Sequence, residues 1–208
     1  GGVERMICNL AKGMVEMGVQ LDILLIKAQG DFVSLLPRKA NIIKLRAKHT
    51  WMCLPELMLY LRRRRPTALL AVKERAIQVA VIARRFASLS ECKLVGGLGT
   101  HLSTAMQRKK RHPWLVYWRY LAVRRLFPLT DLLVAVSQGV AEDIRQITGL
   151  STQRVRVIRN PVISPELMQQ AQCPVDHPWF GSGQPPVILG IGRLTLQNHS
   201  AMRAAFDA

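Results

Sequence analysis

Acidic residues are scarce in this sequence and unevenly placed. The 208 residues contain 13 Asp or Glu against 30 Lys or Arg, which gives a formal net charge of +17. Residues 32–73 hold a single acid, Glu56, and residues 92–130 hold none. A surface with so few carboxylates creates a positive field that attracts phosphate groups, whether they belong to nucleotides, lipids or nucleic acids. The charge therefore predicts a phosphate-bearing partner without saying which kind.

Long apolar runs and paired cysteines are also missing. No uncharged apolar run of about eighteen residues occurs, which argues against a membrane-spanning helix. The first residues also lack the basic and apolar regions of a secretory signal. The cysteines lie far apart and form no Cys-x-x-Cys pair, so neither a disulfide framework nor a zinc site is indicated; they are Cys8, Cys53, Cys92 and Cys173. We expect reduced thiols, no bound metal and a cytoplasmic location.

Apolar strands alternate with amphipathic helical patterns along most of the chain. Strands are predicted by VQLDILLI, NIIKL, TALLAV, KLVGGLG, LLVAVS and VRVIRN. Helices are predicted by GGVERMICNLAKGMVEMG, PELMLYLRRRR, ERAIQVAVIARRFA and QGVAEDIRQITG, and the segment after His101 is expected to be mostly helical with a break near Pro113. This alternation predicts an α/β domain with a doubly wound parallel sheet, Rossmann-like in kind. Ligands of such sheets bind beyond the carboxyl ends of the strands.

The composition changes after Asn160-Pro161. The segment CPVDHPWFGSGQPP is rich in Pro and Gly, which is typical of a linker, and VILGIG then restarts as a strand before AMRAAFDA, which has a helical pattern. We therefore predict a first domain over residues 1–163, a linker over 164–186 and the first βα unit of a truncated second domain over 187–208. Because a helical pattern follows Gly1 directly, we expect the first domain to lack its first strand and the chain to be a fragment.

Gly1 and Gly2 stand immediately before the first helical pattern. Glycine lets the backbone approach a ligand closely, and the N-terminus of a helix offers free N–H groups to an anion. The same pair also suits a tight turn that needs a positive φ and holds no ligand. The pair alone leaves both interpretations open.

Four segments occur in an order that is typical of one known family. They are GGVERMICNLAKGMVEMG, LLVAVSQGVAEDI, VRVIRNPV and VILGIGRLTLQNHS. They resemble segments of GT-B glycosyltransferases of the family 4 type. In the same order, these are the first glycine loop and helix, a late strand with its serine and helix, the closing strand with its Asn-Pro turn, and the Gly-Arg-Leu loop of the C-terminal domain. The resemblance covers nearly the whole chain. It implies a GT-B N-terminal, acceptor-side domain that faces a donor-binding domain across a cleft.

The resemblance also implies a reaction and the residues that carry it. A sugar would pass, with retention of configuration and without a metal, from a nucleotide-sugar donor to a glycan or lipid-linked acceptor, as hexosyltransferases do in polysaccharide or glycan biosynthesis. Gly1 and Gly2 would face the donor diphosphate, and Arg193 matches the arginine that neutralises this leaving group. His101, in GTHLS after a strand, matches a histidine near the sugar and the acceptor. Taken by itself, it is equally consistent with a helix cap or an exposed side chain.

The sequence departs from the family pattern in the Gly-Arg-Leu loop. The family carries a lysine after the Gln of this loop, whereas here Gln197 runs straight into Asn198-His199. The family's later donor-binding segment would lie beyond Ala208. We therefore expect negligible activity from these 208 residues alone. Ser137 and Asn160 are interpreted as a helix cap and a turn former, and not as ligand contacts.

The segment QRKKRHPWLVYWRYLAVRRLF combines seven Lys or Arg with several aromatic residues. Docking onto anionic lipid head groups at the inner face of a membrane would use Arg108, Lys109, Lys110, Arg111, Trp114 and Trp118. A core-packed helix with a solvated basic edge explains the same pattern. Two other classes stay open, a non-catalytic scaffold and a nucleic-acid-binding module, although the sequence has no helix-turn-helix, zinc ligand set or RNA-binding aromatic motif.

Overall fold

The computed structural model describes residues 2–26, 32–107, 112–181 and 183–187. The chain forms two compact units, Gly1–Val162 and Ile163–Ala208. The first contains helices α1 (Gly2–Glu16), α2 (Leu54–Arg64), α3 (Glu74–Phe86), α4 (Leu102–Gln107), α5 (Pro113–Leu126) and α6 (Gln138–Thr148). Its strands are β1 (Asp22–Leu25), β2 (Asn41–Lys44), β3 (Ala68–Val72), β4 (Lys93–Leu98), β5 (Leu132–Ala135) and β6 (Val155–Val157). The described part of the second unit contains α7 (Pro165–Ala171) and a single turn of 3₁₀ helix, Pro178–Phe180.

The predicted alternation of strands and helices is confirmed up to residue 160. Each strand predicted from an apolar run is present, and the helical segment after His101 is interrupted where expected, since α5 begins at Pro113. Ser137 caps α6 as expected: its Oγ accepts a hydrogen bond from the Val140 N–H at 3.4 Å. The strand and helix predicted within residues 187–208 lie outside the described residues except for Val187.

All the described strands are parallel, and they are divided between two sheets. β1 pairs with β2, and the larger sheet has the order β3-β4-β5-β6. Among the described residues, β1 and β3 each have one edge with no neighbouring strand. Leu24 of β1 and Leu69 of β3 nevertheless pack against the same buried cluster.

The main core lies between the four-stranded sheet and the helices α3, α5 and α6. Its fully buried members include Phe127, Ile77, Leu94, Leu133 and Ile144, and burying a side chain of this size stabilises a fold by about 1.5–3 kcal/mol. A second cluster on the other face of α3 includes Leu57 and Leu61 of α2, and a third joins Ala11 of α1 to Ile23 of β1. The three clusters hold helices against both sheets.

Gly96 marks the closest packing between β4 and its neighbours. A Cβ atom at this position would lie 2.7 Å from Cδ2 of Leu133 and 2.9 Å from Cδ1 of Ile77. Because both of those side chains are fully buried, neither has free space to move into. The glycine in the middle of the KLVGGLG strand therefore serves packing, and it lies away from the end of the strand.

Polar contacts hold the amino ends of β4 and β5 together. Oδ2 of Asp131 accepts hydrogen bonds from the Leu94 N–H at 2.8 Å and from Nη1 of Arg84, and Arg84 also donates to the Leu129 carbonyl at 2.5 Å. Burial would raise the pKa of Asp131, but the hydrogen bonds from Leu94 and Arg84 outweigh it and hold that pKa below its ordinary value. The polar groups at this end of the sheet are thus used for structure.

The cysteines are free thiols, of which Cys8, Cys53 and Cys92 are buried and Cys173 is exposed. Burial raises the pKa of each of the three buried thiols, so they are protonated and unreactive at neutral pH. Over the described ranges there is no group of three or more His, Cys, Asp or Glu side chains able to hold a metal ion. In the same part of the chain, none of the helices combines the length and apolar character needed to cross a bilayer.

Candidate functional site

The carboxyl ends of β3, β4 and β5 lie side by side because these strands are parallel neighbours. Val72 pairs with Gly97, and Leu98 pairs with Ala135. The polar residues that follow the strands, Lys73, His101 and Ser137, therefore share one edge of the sheet, which we call the carboxyl edge. This is the edge at which doubly wound sheets bind their ligands.

Lys73 stands at the end of β3 in an unusual backbone conformation. Its φ of 81° lies in the left-handed region that residues other than glycine seldom adopt. Its backbone N–H donates to the Gly97 carbonyl at 3.0 Å, and its Nζ donates to Oε1 of Glu4 in α1 at 2.9 Å. The lysine thus connects α1 to the end of β3 and brings an ammonium group to the carboxyl edge.

Glu4 is held ionised chiefly by this lysine. The hydrogen bond from Lys73 is the largest of the effects that lower the pKa of Glu4 from 4.5 to about 2. We expect Lys73→Met to raise the pKa of Glu4 toward 4.5, measured by NMR titration of the Glu4 carboxyl carbon. Because the folded-state pKa is the lower one, the contact stabilises the protein above about pH 4.5, and this contribution is lost as the pH falls toward 2.

The control for this titration is Lys44→Met, which removes an exposed charge from β2 and should leave the pKa of Glu4 unchanged. If Lys73→Met also leaves it unchanged, Lys73 is not the group that keeps Glu4 ionised.

His101 is exposed one residue before α4, and its ring packs over the first turn of α6. A Cβ atom built on Gly139 would lie 3.2 Å from Cε1 and 3.3 Å from Nε2 of His101. The imidazole therefore packs against the backbone of Gly139. A side chain at position 139 would crowd the ring. Gly139 makes room for a histidine at the carboxyl edge, where an imidazole can donate or accept a proton or a hydrogen bond.

The buried Asp143 of α6 holds the helix that begins just after His101. Its Oδ2 accepts hydrogen bonds from the Leu102 N–H at 2.5 Å and the Ser103 N–H at 3.2 Å. These two amides belong to the first turn of α4, where N–H groups have no partner within the helix. Helix α6 therefore positions His101 in two ways. Asp143 accepts hydrogen bonds from the two residues that follow His101, and Gly139 packs against its ring.

Gly2 is exposed and is the first residue of α1. Its φ does not lie in the left-handed region, and a Cβ atom at this position would meet no atom within 4 Å. Neither a turn with positive φ nor packing among the described residues thus requires glycine here. Gly1 and Arg193 lie outside the described residues, so the diphosphate contacts expected of Gly1, Gly2 and Arg193 stay predictions.

Helix α1 also reaches the chain that follows β6. Nδ2 of Asn9 donates to the Pro161 carbonyl at 2.7 Å. Because Glu4 of the same helix contacts Lys73 after β3, α1 touches the segments that follow both outer strands of the larger sheet. The N-terminal helix is therefore part of the carboxyl edge.

Helix α5 has a buried inner side and an exposed aromatic side. Val123 is fully buried, whereas Trp114 and Trp118 are 59% and 62% exposed. Tyr117 and Trp118 meet edge to face with their ring centroids 6.3 Å apart. The helix is packed on the core and also presents aromatic rings to the solvent, so it is compatible with both explanations of the basic aromatic segment. The basic residues 108–111 lie outside the described residues.

Arg119 on α5 is engaged in contacts with two other helices. Its Nε and Nη2 donate to the two carboxylate oxygens of Glu74 in α3 at 2.7 and 2.5 Å, and its Nη1 donates to the Ala105 carbonyl in α4 at 3.2 Å. The hydrogen bond with Glu74 raises the pKa of Arg119. This arginine is a structural link between α3, α4 and α5, and it is not available to a ligand.

The carboxyl edge thus combines an imidazole, an ammonium paired with a carboxylate, and the first turn of α6. Such groups can hydrogen-bond a sugar or phosphate oxygen and transfer a proton at the imidazole. Sequence reasoning selected His101 but missed Glu4, Lys73, Gly139 and Asp143. The position of Lys73 directly after TALLAV was the one usable signal, because side chains that follow strands gather at this edge.

The sequence of this domain matches a known protein family. Residues 1–163 match the sequence model of Glycosyltransferase Family 4. The matched range contains both sheets, helices α1–α6 and all the described groups of the carboxyl edge. No curated protein matches the chain.

Proposed function

We propose, from the premise that this chain belongs to glycosyltransferase family 4, that it forms the acceptor-side domain of an enzyme that transfers a hexosyl group. The donor is a nucleotide sugar, and the acceptor is a glycan or a lipid-linked glycan. The observation that carries the proposal is the placement of His101, which is exposed at the end of β4 and supported by Gly139 and, through α4, by Asp143. A histidine that is exposed and held in position at a ligand-binding edge can contact a bound substrate.

In the proposed reaction, the bond between the anomeric carbon and the diphosphate oxygen breaks, and a bond from that carbon to an acceptor oxygen forms with retention of configuration. The nucleoside diphosphate leaves with the bonding electrons, and its departing oxygen takes the proton of the acceptor hydroxyl. His101 hydrogen-bonds the donor sugar or the reacting hydroxyl. Gly1, Gly2 and Arg193 face the diphosphate, where backbone N–H groups and a guanidinium stabilise the developing negative charge. No metal is required by this scheme.

The open glycine at position 2 supports the diphosphate part of this scheme. Nothing in the described structure lies within 4 Å of the position that a Cβ atom on Gly2 would take, so the backbone is open to a phosphate oxygen there. The dipole of a helix favours an anion at its N-terminus. A phosphate that approaches Gly2 closely would explain why glycine stands there.

We also propose that the protein associates with the inner face of a membrane through the basic aromatic segment. The exposed rings of Trp114 and Trp118 and the basic residues 108–111 are of the kind that interacts with anionic lipid head groups. The protein would bind a lipid-linked acceptor at this membrane surface. A non-catalytic scaffold on the same fold is the alternative.

The test uses the gene product that contains these residues. UDP or GDP should raise its Tm, because a ligand that binds only the folded state adds about 2.7 kcal/mol of stability at a hundred times its Kd. A random oligonucleotide should not raise the Tm.

Radiolabelled nucleotide sugars incubated with a lipid extract should yield a labelled glycolipid or glycan. A rise in Tm with the oligonucleotide alone would favour a nucleic-acid-binding module. If no ligand raises the Tm and no sugar is transferred, the result would favour a scaffold.

A further inference from the structure

The ion pair between Glu4 and Lys73 is accessible to a ligand at the carboxyl edge. Nζ of Lys73 lies 2.9 Å from Oε1 of Glu4, and the side chains of Lys73 and Glu4 are 61% and 43% exposed. Ion pairs as exposed as this one contribute little to stability, because water competes for both charges. Neither residue takes part in the steps proposed above for sugar transfer. The contribution of the pair to stability is therefore a weak explanation for its presence.

The backbone of Lys73 is strained, and its neighbours hold it in that conformation. Its φ of 81° and ψ of 147° lie in a region that residues other than glycine rarely adopt, and such a conformation lowers stability. Before it, the pairing of Val72 with Gly97 fixes the end of β3. After it, Glu74 is buried and hydrogen-bonded to Arg119. Strained residues that are held in this way are concentrated at ligand-binding sites, and here the strain accompanies an ammonium group at the ligand-binding edge.

The two charged groups match a pair of neighbouring hydroxyls on a sugar ring. An ammonium has three N–H donors, of which the hydrogen bond to Glu4 uses one, and an ionised carboxylate accepts hydrogen bonds at both oxygens. One hydroxyl can donate to the carboxylate while its neighbour accepts from the ammonium. The 2.9 Å between Nζ and Oε1 is close to the distance between the oxygens of adjacent hydroxyls. Because one partner in each hydrogen bond is charged, both bonds are stronger than bonds between neutral groups.

We propose that Glu4 and Lys73 together bind a vicinal diol of a sugar substrate. This inference rests on the proposed glycosyl transfer and adds two substrate-binding residues to His101. The carboxylate repels a phosphate, so the pair recognises the sugar and not the diphosphate. Vicinal diols occur both in an acceptor glycan and in a donor hexose, and kinetics with each substrate varied in turn distinguishes the two sources.

The test measures transfer by the gene product that contains these residues, with radiolabelled nucleotide sugars and a lipid extract as the acceptor. Lys73→Met should raise the half-saturating concentration of one substrate at least about tenfold, because hydrogen bonds from a charged group are lost. A rise for the extract assigns the diol to the acceptor, and a rise for the nucleotide sugar assigns it to the donor. kcat should change by less than about twofold, as expected when an interaction made equally in the ground and transition states is removed.

The matched control is Lys93→Met, which should leave both half-saturating concentrations unchanged. The side chain of Lys93 is 70% exposed and lies near the carboxylate of Asp131, but it belongs to the amino end of β4. Lys73→Gly separates binding from a structural role, because glycine adopts a positive φ without strain. It should weaken binding as Lys73→Met does, with a Tm at or above that of the wild type.

Unchanged half-saturating concentrations in both Lys73 variants would overturn the proposal, while transfer by the wild type would leave the proposed function standing. Equal effects of Lys73→Met and Lys93→Met, or a lower Tm of Lys73→Gly with unchanged binding, would also overturn it. If Lys73→Gly does not fold, Glu4→Gln replaces it, since this variant leaves the backbone of Lys73 as it is and should raise the same half-saturating concentration. No transfer by the wild-type protein would remove the proposed function and this inference together.

Discussion

Replacing His101 with alanine is expected to lower kcat for sugar transfer about a hundredfold, because general acid–base or hydrogen-bonding groups at a reacting centre contribute at least that much. The free energy of unfolding should stay almost unchanged, since the ring is exposed and lies outside the buried clusters. The measurement is a transfer assay with the gene product that contains these residues, together with urea denaturation of the same samples. Loss of activity without loss of stability is what separates a catalytic residue from a structural one.

Two further variants make this result specific. His112→Ala removes another exposed histidine, one whose side chain does not cap its helix, and should leave kcat unchanged. Gly139→Ala keeps His101 but places a methyl group about 3.2 Å from its ring, so the ring must move and kcat should fall by an intermediate factor. Wild-type kcat in His101→Ala would remove this residue from the reaction.

Replacing Arg119 with alanine is expected to lower the free energy of unfolding by about 3 kcal/mol, the order of cost seen when one partner of a buried ion pair is removed. The side chain of Glu74 is only 9% exposed, and without Arg119 its carboxylate loses both of the arginine's hydrogen bonds. The Ala105 carbonyl loses a donor as well. Urea denaturation at pH 7, analysed by linear extrapolation, gives the change directly.

The matched control is Arg124→Ala on the same helix, where an exposed arginine is removed and the expected cost is at most about 1 kcal/mol. Arg119→Lys should recover only part of the loss, because an ammonium cannot form the two parallel hydrogen bonds that the guanidinium makes with Glu74. Equal costs for Arg119→Ala and Arg124→Ala would show that the link between α3 and α5 does not stabilise the domain.

The secondary structure could be predicted well because each element has a strong local signal. Parallel strands that are covered on both faces are continuous apolar runs, as TALLAV and LLVAVS are, and Pro113 begins α5 since proline suits the first turn of a helix. Ser137 was predicted as a cap from its position alone, and it is one. The division into two sheets depends on which strands are neighbours, and that information is not local.

The candidate site could be predicted only in part, because most of it is made by contacts between distant segments. His101 was selected through the GTHLS motif, but its support comes from Gly139 and Asp143, which are about forty residues away in sequence. The contact of Lys73 with Glu4 joins residues 69 positions apart. The backbone conformation of Lys73 has no signature in its residue type, since a positive φ is more usual for glycine or asparagine. No periodicity or motif reports such pairings.

The free edges of β1 and β3 have a practical consequence for handling the 208-residue chain. In the described part of the structure, one edge of each of these strands has backbone N–H and C=O groups that are not hydrogen-bonded to another strand. The side chain of Leu70 in β3 is also 43% exposed. Such edges are templates to which extended segments of other molecules can add, which leads to aggregation. Solutions of the chain are therefore best kept dilute, and a soluble peptide of high β propensity that caps these edges would be a rational additive for crystallisation.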